Sequence, residues 1–320
     1  MTRNIFYISQ IILLALASVS CEERIDSALL TGDPVITING MITNQPGPYY
    51  VRITKSVTDL TKTTDRVFLN KFDPVHQAVV TINDDHGNID TLKPWKVDGE
   101  PDWLKGGVYH TTHLQGVVGR TYTLTVVHEG GVYQAVATIP AAPLAIDEVK
   151  YAKSKDQIND SRVPLVSFQE PQQQKDYYRF FYRPYGINPV THELSLIGGY
   201  SPGPNNFWQL ISPQFFIFDD QLLTTHVVDL KLEDESLTSQ ELFPPSAHPF
   251  GLKTKVEMEI HTITKEAYEY FSAVKENLLF TPNQPFGTAP ASPPTNISNG
   301  GLGFFTASSS LSVLVDGPQN

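Results

Sequence analysis

Short runs of β-branched and aromatic residues at period two, cut by Gly and Asx turns, govern this chain from residue 34 onward. Residues 35–38, 49–54, 78–82, 89–92, 107–111, 121–127 and 132–139 carry the pattern of strands with one face inward. Asn83-Asp84-Asp85-His86-Gly87-Asn88 and Glu129-Gly130-Gly131 fall between adjacent runs and read as hairpin turns. Turns repeated every 8 to 12 residues or so predict a β-sandwich over residues 34–143.

Pro140-Ala141-Ala142-Pro143 marks the end of that unit, because proline cannot donate to a ladder and biases its predecessor to extended backbone. Residues 144–320 are expected to be β-rich as well. Strands are predicted over 146–151, 163–168, 176–182, 225–232, 254–263 and 310–315, with Val256, Met258, Ile260 and Thr262 on one face. One helix is predicted near 264–279, with Thr264 as N-cap and Glu266 in the first turn. Ala267, Phe271, Val274 and Leu278 form its apolar stripe, and Pro282 lies beyond its end. The expected class is all-β: two β-sandwich domains of immunoglobulin-like or carboxypeptidase-regulatory-like kind, the second with one packed helix. The carboxypeptidase-regulatory likeness is a resemblance, carried by Ala78-x-Val80-x-Ile82-x-Asp84, Gly107-x-Tyr109-x-Thr111 and Gly119-x-x-Tyr122-x-Leu124-x-Val126. It implies a scaffold.

The first twenty residues read as an address. Arg3 precedes an apolar run over residues 5–17, shorter than the roughly 20 residues a spanning helix needs, as in a signal peptide. Ser18-Val19-Ser20-Cys21 follows. Small residues before the chain's single cysteine resemble a bacterial lipobox, with Ser18 where leucine is preferred. Cys21 is therefore the expected lipidation site, diacylated, freed by cleavage and then acylated again (as by palmitate), and residues 21–33 form a tether. One acyl chain holds marginally while two or more anchor stably. Glu22-Glu23 resembles the surface-export signal of Bacteroidota lipoproteins. With one cysteine there is no internal disulfide and no cysteine-based metal site. A net charge of −11 repels phosphate backbones, so no nucleic-acid partner is expected.

Several stretches, in order, carry a wider resemblance. They are the lipoprotein cysteine, Asn39-Gly40-Met41-Ile42-Thr43-Asn44 with Pro46-Gly47-Pro48-Tyr49, the tyrosine-rich strand, Thr264-Lys265-Glu266-Ala267-Tyr268-Glu269-Tyr270, and Asn296-Ile297 through Gly301-Leu302-Gly303-Phe304-Phe305. Together they resemble the Bacteroidota outer-membrane lipoproteins catalogued as domain-of-unknown-function family 4249. That resemblance implies a lipid-anchored outer-membrane protein of the cell envelope, commonly encoded beside a TonB-dependent transporter. The expectation is a non-enzymatic accessory or ligand-capturing partner of such a transporter. The alternative is a structural or adhesive surface lipoprotein that works without one.

No catalytic, cofactor-binding or metal-ligating residues are expected. Gly199-Tyr200-Ser201-Pro202-Gly203 matches the nucleophile elbow of serine hydrolases, but the oxyanion hole needs the N–H of the residue after the serine, and Pro202 has none. His110 and His113 stand at odd spacing, which on a strand sends side chains to opposite faces. Asp84-Asp85-His86-Gly87-Asn88-x-Asp90 lacks the spacing of a calcium loop. Aromatics in the Pro/Asn-rich stretch remain. Phe216 and Phe218, or else Phe215, are expected to fill the core, while Tyr200, Phe207 and Trp208 sit beside turn residues and are the candidate contact surface.

Overall fold

The computed structural model describes residues 33–56, 73–95, 106–141, 145–155, 162–171, 175–196, 209–210, 216–220, 225–233, 254–279 and 292–318. The strands of the N-terminal half are β1 (Ile36–Thr43), β2 (Tyr50–Lys55), β3 (Asp73–Pro74), β4 (Val79–Asp84), β5 (Ile89–Thr91), β6 (Lys93–Pro94), β7 (Val108–His110), β8 (Thr121–His128) and β9 (Gly131–Thr138). Those of the C-terminal half are β10 (Ile146–Lys153), β11 (Arg162–Gln169), β12 (Tyr177–Ile187), β13 (Leu194–Leu196), β14 (Phe216–Asp219), β15 (His226–Lys231), β16 (Thr254–Ile263) and β17 (Leu302–Asp316), with α1 (Lys265–Leu279) between the last two.

Among the described residues the strands form three sheets. The order β13-β12-β16-β17-β1-β2-β7-β6, with β14 on β12 and β3 on β2, makes one of ten strands. The others are β5-β4-β8-β9 and β10-β11-β15. Both smaller sheets pack on the same face of the large one. Ile36, Ile38, Val51, Ile53 and Phe305 of the large sheet meet Val80, Ile82, Tyr122, Leu124 and Val126 of the four-stranded sheet. Tyr178, Phe180, Tyr182, Val256, Met258 and Ile260 meet Val163, Val166, Phe168 and Val227 of the three-stranded one. Among the described residues the fold is thus all-β with one long helix, arranged as two sandwiches that share a sheet.

The shared sheet depends on β17. Sequence pattern predicts a final strand over 310–315 only, yet the strand begins at Leu302. Residues 302–308 pair with β1 in parallel, and residues 309–316 pair with β16 in antiparallel on the opposite edge. The expected divide at residue 143 falls between the two smaller sheets, while the ten-stranded sheet runs across it. Where one partner of β17 ends, a side chain takes its place. Asn44 Oδ1 accepts from Ser310 N at 2.7 Å, and Asn296 both donates to Phe305 O and accepts from Phe305 N, at 2.8 and 2.9 Å. Buried backbone groups need partners, and these amides supply them.

The helix starts as predicted: Ala267 N donates to Thr264 Oγ1 at 3.3 Å. Its stripe is only partly used. Ala267 is buried and Phe271 half-buried against the far face of the large sheet, with Tyr268 and Tyr270 beside them on Tyr177, Ile263 and Phe304, whereas Leu278 is 59% exposed. The strand predicted over 225–232 is also interrupted. Asp229 takes a positive φ of 53°, its N–H reaches Ser167 Oγ, and the β11–β15 register shifts there.

Candidate interaction site

Cys21, Glu22, Glu23, Tyr200, Phe207 and Trp208 lie outside the described residues, as does the segment 199–203. Two features of the described residues are candidates for a site. The first is the outer face of the large sheet, which α1 covers in part. In β16, Val256, Met258 and Ile260 enter the sandwich, so Glu257, Glu259 and His261 must point the other way. On β12 the same alternation sets Arg179, Phe181 and Arg183 opposite His261, Glu259 and Glu257. Arg183 Nη2 lies 2.5 Å from Glu257 Oε2 and 3.9 Å from Glu259 Oε1. The Arg179 guanidinium lies 4.4 Å from the Phe181 ring centroid and 4.1 Å from that of Phe271 on α1. Burial pushes its pKa down, and burial also pushes the Tyr270 hydroxyl up.

A polar face would ordinarily meet water. Here Arg179, Arg183, Glu259 and His261 are all buried. Gln209, the residue after Trp208, is buried too and donates to Glu259, and Leu210 packs on Tyr50, Val108 and Trp95. The end of the aromatic stretch is therefore anchored on this face. A hydrogen-bonded chain also runs through it: His261 Nδ1 is 3.1 Å from Ser308 Oγ, and His261 Nε2 is 3.1 Å from Glu259 Oε2. That is the Ser–His–acid order in which hydrolases move a proton. Ser308 is 0% exposed at the middle of β17. The sequence signal was present as two period-two sets, Arg179-x-Phe181-x-Arg183 and Glu257-x-Glu259-x-His261, whose charges are complementary. Nothing in either set alone says that the other would lie beside it.

The second feature is an open groove of about 470 Å³ lined by Gly47, Pro48, Lys93 and residues 110–115. His110 and His113 both line it, against the expectation of opposite faces. The reason is that β7 ends at His110, and the backbone bends at Thr112 and His113, so strand alternation does not reach the second histidine. The Nδ1 of each ring is already engaged. His110 Nδ1 is 3.0 Å from Thr111 O, and His113 Nδ1 is 3.0 Å from Thr112 Oγ1. Asp90, fully buried beneath, accepts from Thr112 N, Thr112 Oγ1, His113 N and Leu114 N at 2.8, 2.8, 2.8 and 2.9 Å. Burial pushes its carboxyl up, but these bonds outweigh burial and hold the pKa below the ordinary value. Among the described residues no group of three or more His, Asp or Glu is placed to hold a metal.

The turn Asp84–Asn88 is the predicted hairpin. The Asp84 carboxylate accepts from His86 N, Asn88 N, Asn88 Nδ2 and Arg120 Nη1, the work of an Asx turn. Phe216 is core and Phe218 packs against it, as expected.

Three of the motif stretches, those of Asn39-Gly40, Tyr270 and Gly303-Phe304-Phe305, are distant in sequence and meet at the β1–β17 seam. Tyr270 OH donates to Asn39 Oδ1 at 3.2 Å. Gly40 faces Phe305 so closely that an added Cβ would stand 3.0 Å from its ring. Gly303 has φ 90°, and a Cβ there would meet Ile38 O at 2.2 Å. Tyr49 OH donates to Gln45 O and accepts from Gly116 N, fixing the turn behind the groove. No curated protein matches the chain. The model of the family described as a domain of unknown function (DUF4249) matches residues 22–312, and the chain belongs to that family.

Proposed function

We propose that this protein is a lipid-anchored outer-membrane lipoprotein that serves as an accessory or ligand-capturing partner of a TonB-dependent transporter. The observation that carries the reading is Cys21, the chain's single cysteine, behind a short apolar run and small residues. The family match starts at residue 22, the position after it. The test is extraction from native membranes in mild detergent. A β-barrel partner that co-elutes with the wild type, and less with Trp208→Ala, supports the transporter partnership. Elution alone replaces it with a free-standing structural or adhesive lipoprotein.

One observation favours a different class, the Ser308–His261–Glu259 chain. Labelling of the folded protein by a fluorophosphonate, lost in Ser308→Ala, would establish a hydrolase.

A further inference from the structure

Both histidines of the groove have a forced tautomer. The Thr111 carbonyl only accepts, so His110 Nδ1 carries the proton that joins them. Thr112 Oγ1 gives its single proton to Asp90 Oδ1, so towards His113 it only accepts, and His113 Nδ1 carries its proton as well. With Nδ1 protonated, the neutral ring holds its lone pair on Nε2. Lys93 stands directly across the β6–β7 ladder from His110, and directly opposed residues share a face with Cβ atoms about 5 Å apart. Among the described residues no hydrogen bond or ion pair engages Lys93 Nζ or the Nε2 of His110 or His113. No carboxylate lines the groove, and Asp90 beneath it is taken up by its four donors. We propose that this groove binds a small hydroxylated acid of the sugar-acid kind, its carboxylate on Lys93 and its hydroxyls donating to His110 Nε2 and His113 Nε2.

The three groups select this class against its rivals. A metal ion would meet two imidazoles beside an ammonium that repels it, with no third His, Asp or Glu placed to help among the described residues. A bare inorganic anion satisfies Lys93 but turns its own lone pairs on two nitrogen lone pairs. A zwitterionic amino acid that sets its carboxylate on Lys93 brings its ammonium to His110, beside the Lys93 ammonium. A neutral sugar gives Lys93 no counter-charge. A hydroxylated acid meets all three, because O–H groups donate to the lone pairs and the carboxylate pairs with the ammonium. The walls are also set in advance. Asp90 holds Thr112–Leu114, Thr111 N donates to Tyr49 O at 2.9 Å, Tyr49 N donates to Thr111 Oγ1 at 2.8 Å, and Gln115 Nε2 donates to Gln45 O at 3.1 Å. A preformed site has less order to lose on binding. Its volume of about 470 Å³ falls within the roughly 300–1,000 Å³ of small-molecule sites. The proposal deepens the ligand-capturing reading by naming what is captured. Its test needs neither lipid anchor nor transporter, so the two fail separately.

That test is an NMR titration of the full processed protein with glucuronate, read on nitrogen-15-labelled histidine rings. Three polar contacts in an open groove give a Kd of about 1 mM. Glucuronate should shift the Nε2 signals of His110 and His113, while glucose, acetate, phosphate and alanine each bind about tenfold more weakly or worse. Lys93→Met should weaken glucuronate about tenfold and His113→Ala about fivefold, each losing one hydrogen bond at an exposed position. Lys265→Met, 63% exposed on α1, should change nothing. Rings that carry the proton on Nε2, no glucuronate binding, acetate or phosphate bound equally well, alanine bound more tightly, or glucuronate bound undiminished by Lys93→Met overturns the proposal. If His113→Ala fails to fold, Lys93→Met and the ring signals decide.

Discussion

Asp90→Ala should destabilise the N-terminal sandwich more than any exposed substitution near the groove. The carboxylate is fully buried and accepts four hydrogen bonds from the segment Thr112–Leu114, three of them from backbone N–H groups. Truncation leaves those donors without an acceptor. Thr112 and His113 are exposed and can turn to water, but Leu114 N is buried. A buried donor left unsatisfied costs about 1–3 kcal/mol, and bonds to a charged acceptor contribute about 1.5–3 kcal/mol each before non-additivity. A loss of about 3–5 kcal/mol in urea unfolding is therefore expected for Asp90→Ala. Asp90→Asn keeps one acceptor oxygen and should lose about half as much. The pH dependence follows from the depressed pKa. The folded carboxyl titrates below its unfolded value of about 3.9, so its contribution is fully present above that value and is lost as pH falls through the folded one. The gap between wild type and Asp90→Asn should stay constant from pH 7 to about pH 4 and narrow below it. An Asp90→Ala loss under about 1 kcal/mol at pH 7, or a gap that narrows between pH 7 and pH 5, would refute this account of the loop.

Gly303→Ala should cost about 3 kcal/mol or more, because the φ of 90° disfavours alanine and the methyl would press on the Ile38 carbonyl, which is backbone and cannot swing aside; a melt within a few degrees of wild type would contradict the seam geometry. Cys21→Ala should abolish labelling by a fatty-acid analogue and move the protein to the soluble fraction, whereas unchanged labelling would remove the lipoprotein reading. Protease added to intact cells should degrade the wild-type protein if Glu22-Glu23 directs it outward, and protection until lysis would place it on the inner leaflet.

Most strands of the N-terminal half were legible from sequence because each carries its own signal. Period-two apolar residues end at Gly or Asx turns, and hairpin partners are neighbours in the chain, as with β8 and β9. The helix start was legible for the same reason, since Thr264 caps residues three and four positions away. Lipidation at Cys21 is likewise a purely local reading. The extent of β17 was not legible. Residues 307–310 run Ala-Ser-Ser-Ser, with no β-branched or aromatic residue to mark a strand. They are held extended because β1, some 260 residues earlier, and β16 take opposite edges of one strand.

The buried charges follow the same logic. Alternation in β16 dictates that Glu257, Glu259 and His261 leave the sandwich, and a strand read alone sends them to water. Only the assembled sheet brings Arg179 and Arg183 beside them and lays α1 and Gln209 over the top, so a face that local pattern marks as solvated becomes an interior. Sequence by itself therefore determined where most strands, the hairpin turns and the helix start lie, and which side of those strands is apolar, because those depend on neighbours within a few positions. Tertiary structure decided which strands share a sheet, where one sandwich passes into the next, and which polar face is buried, because those depend on contacts between segments that no local period records.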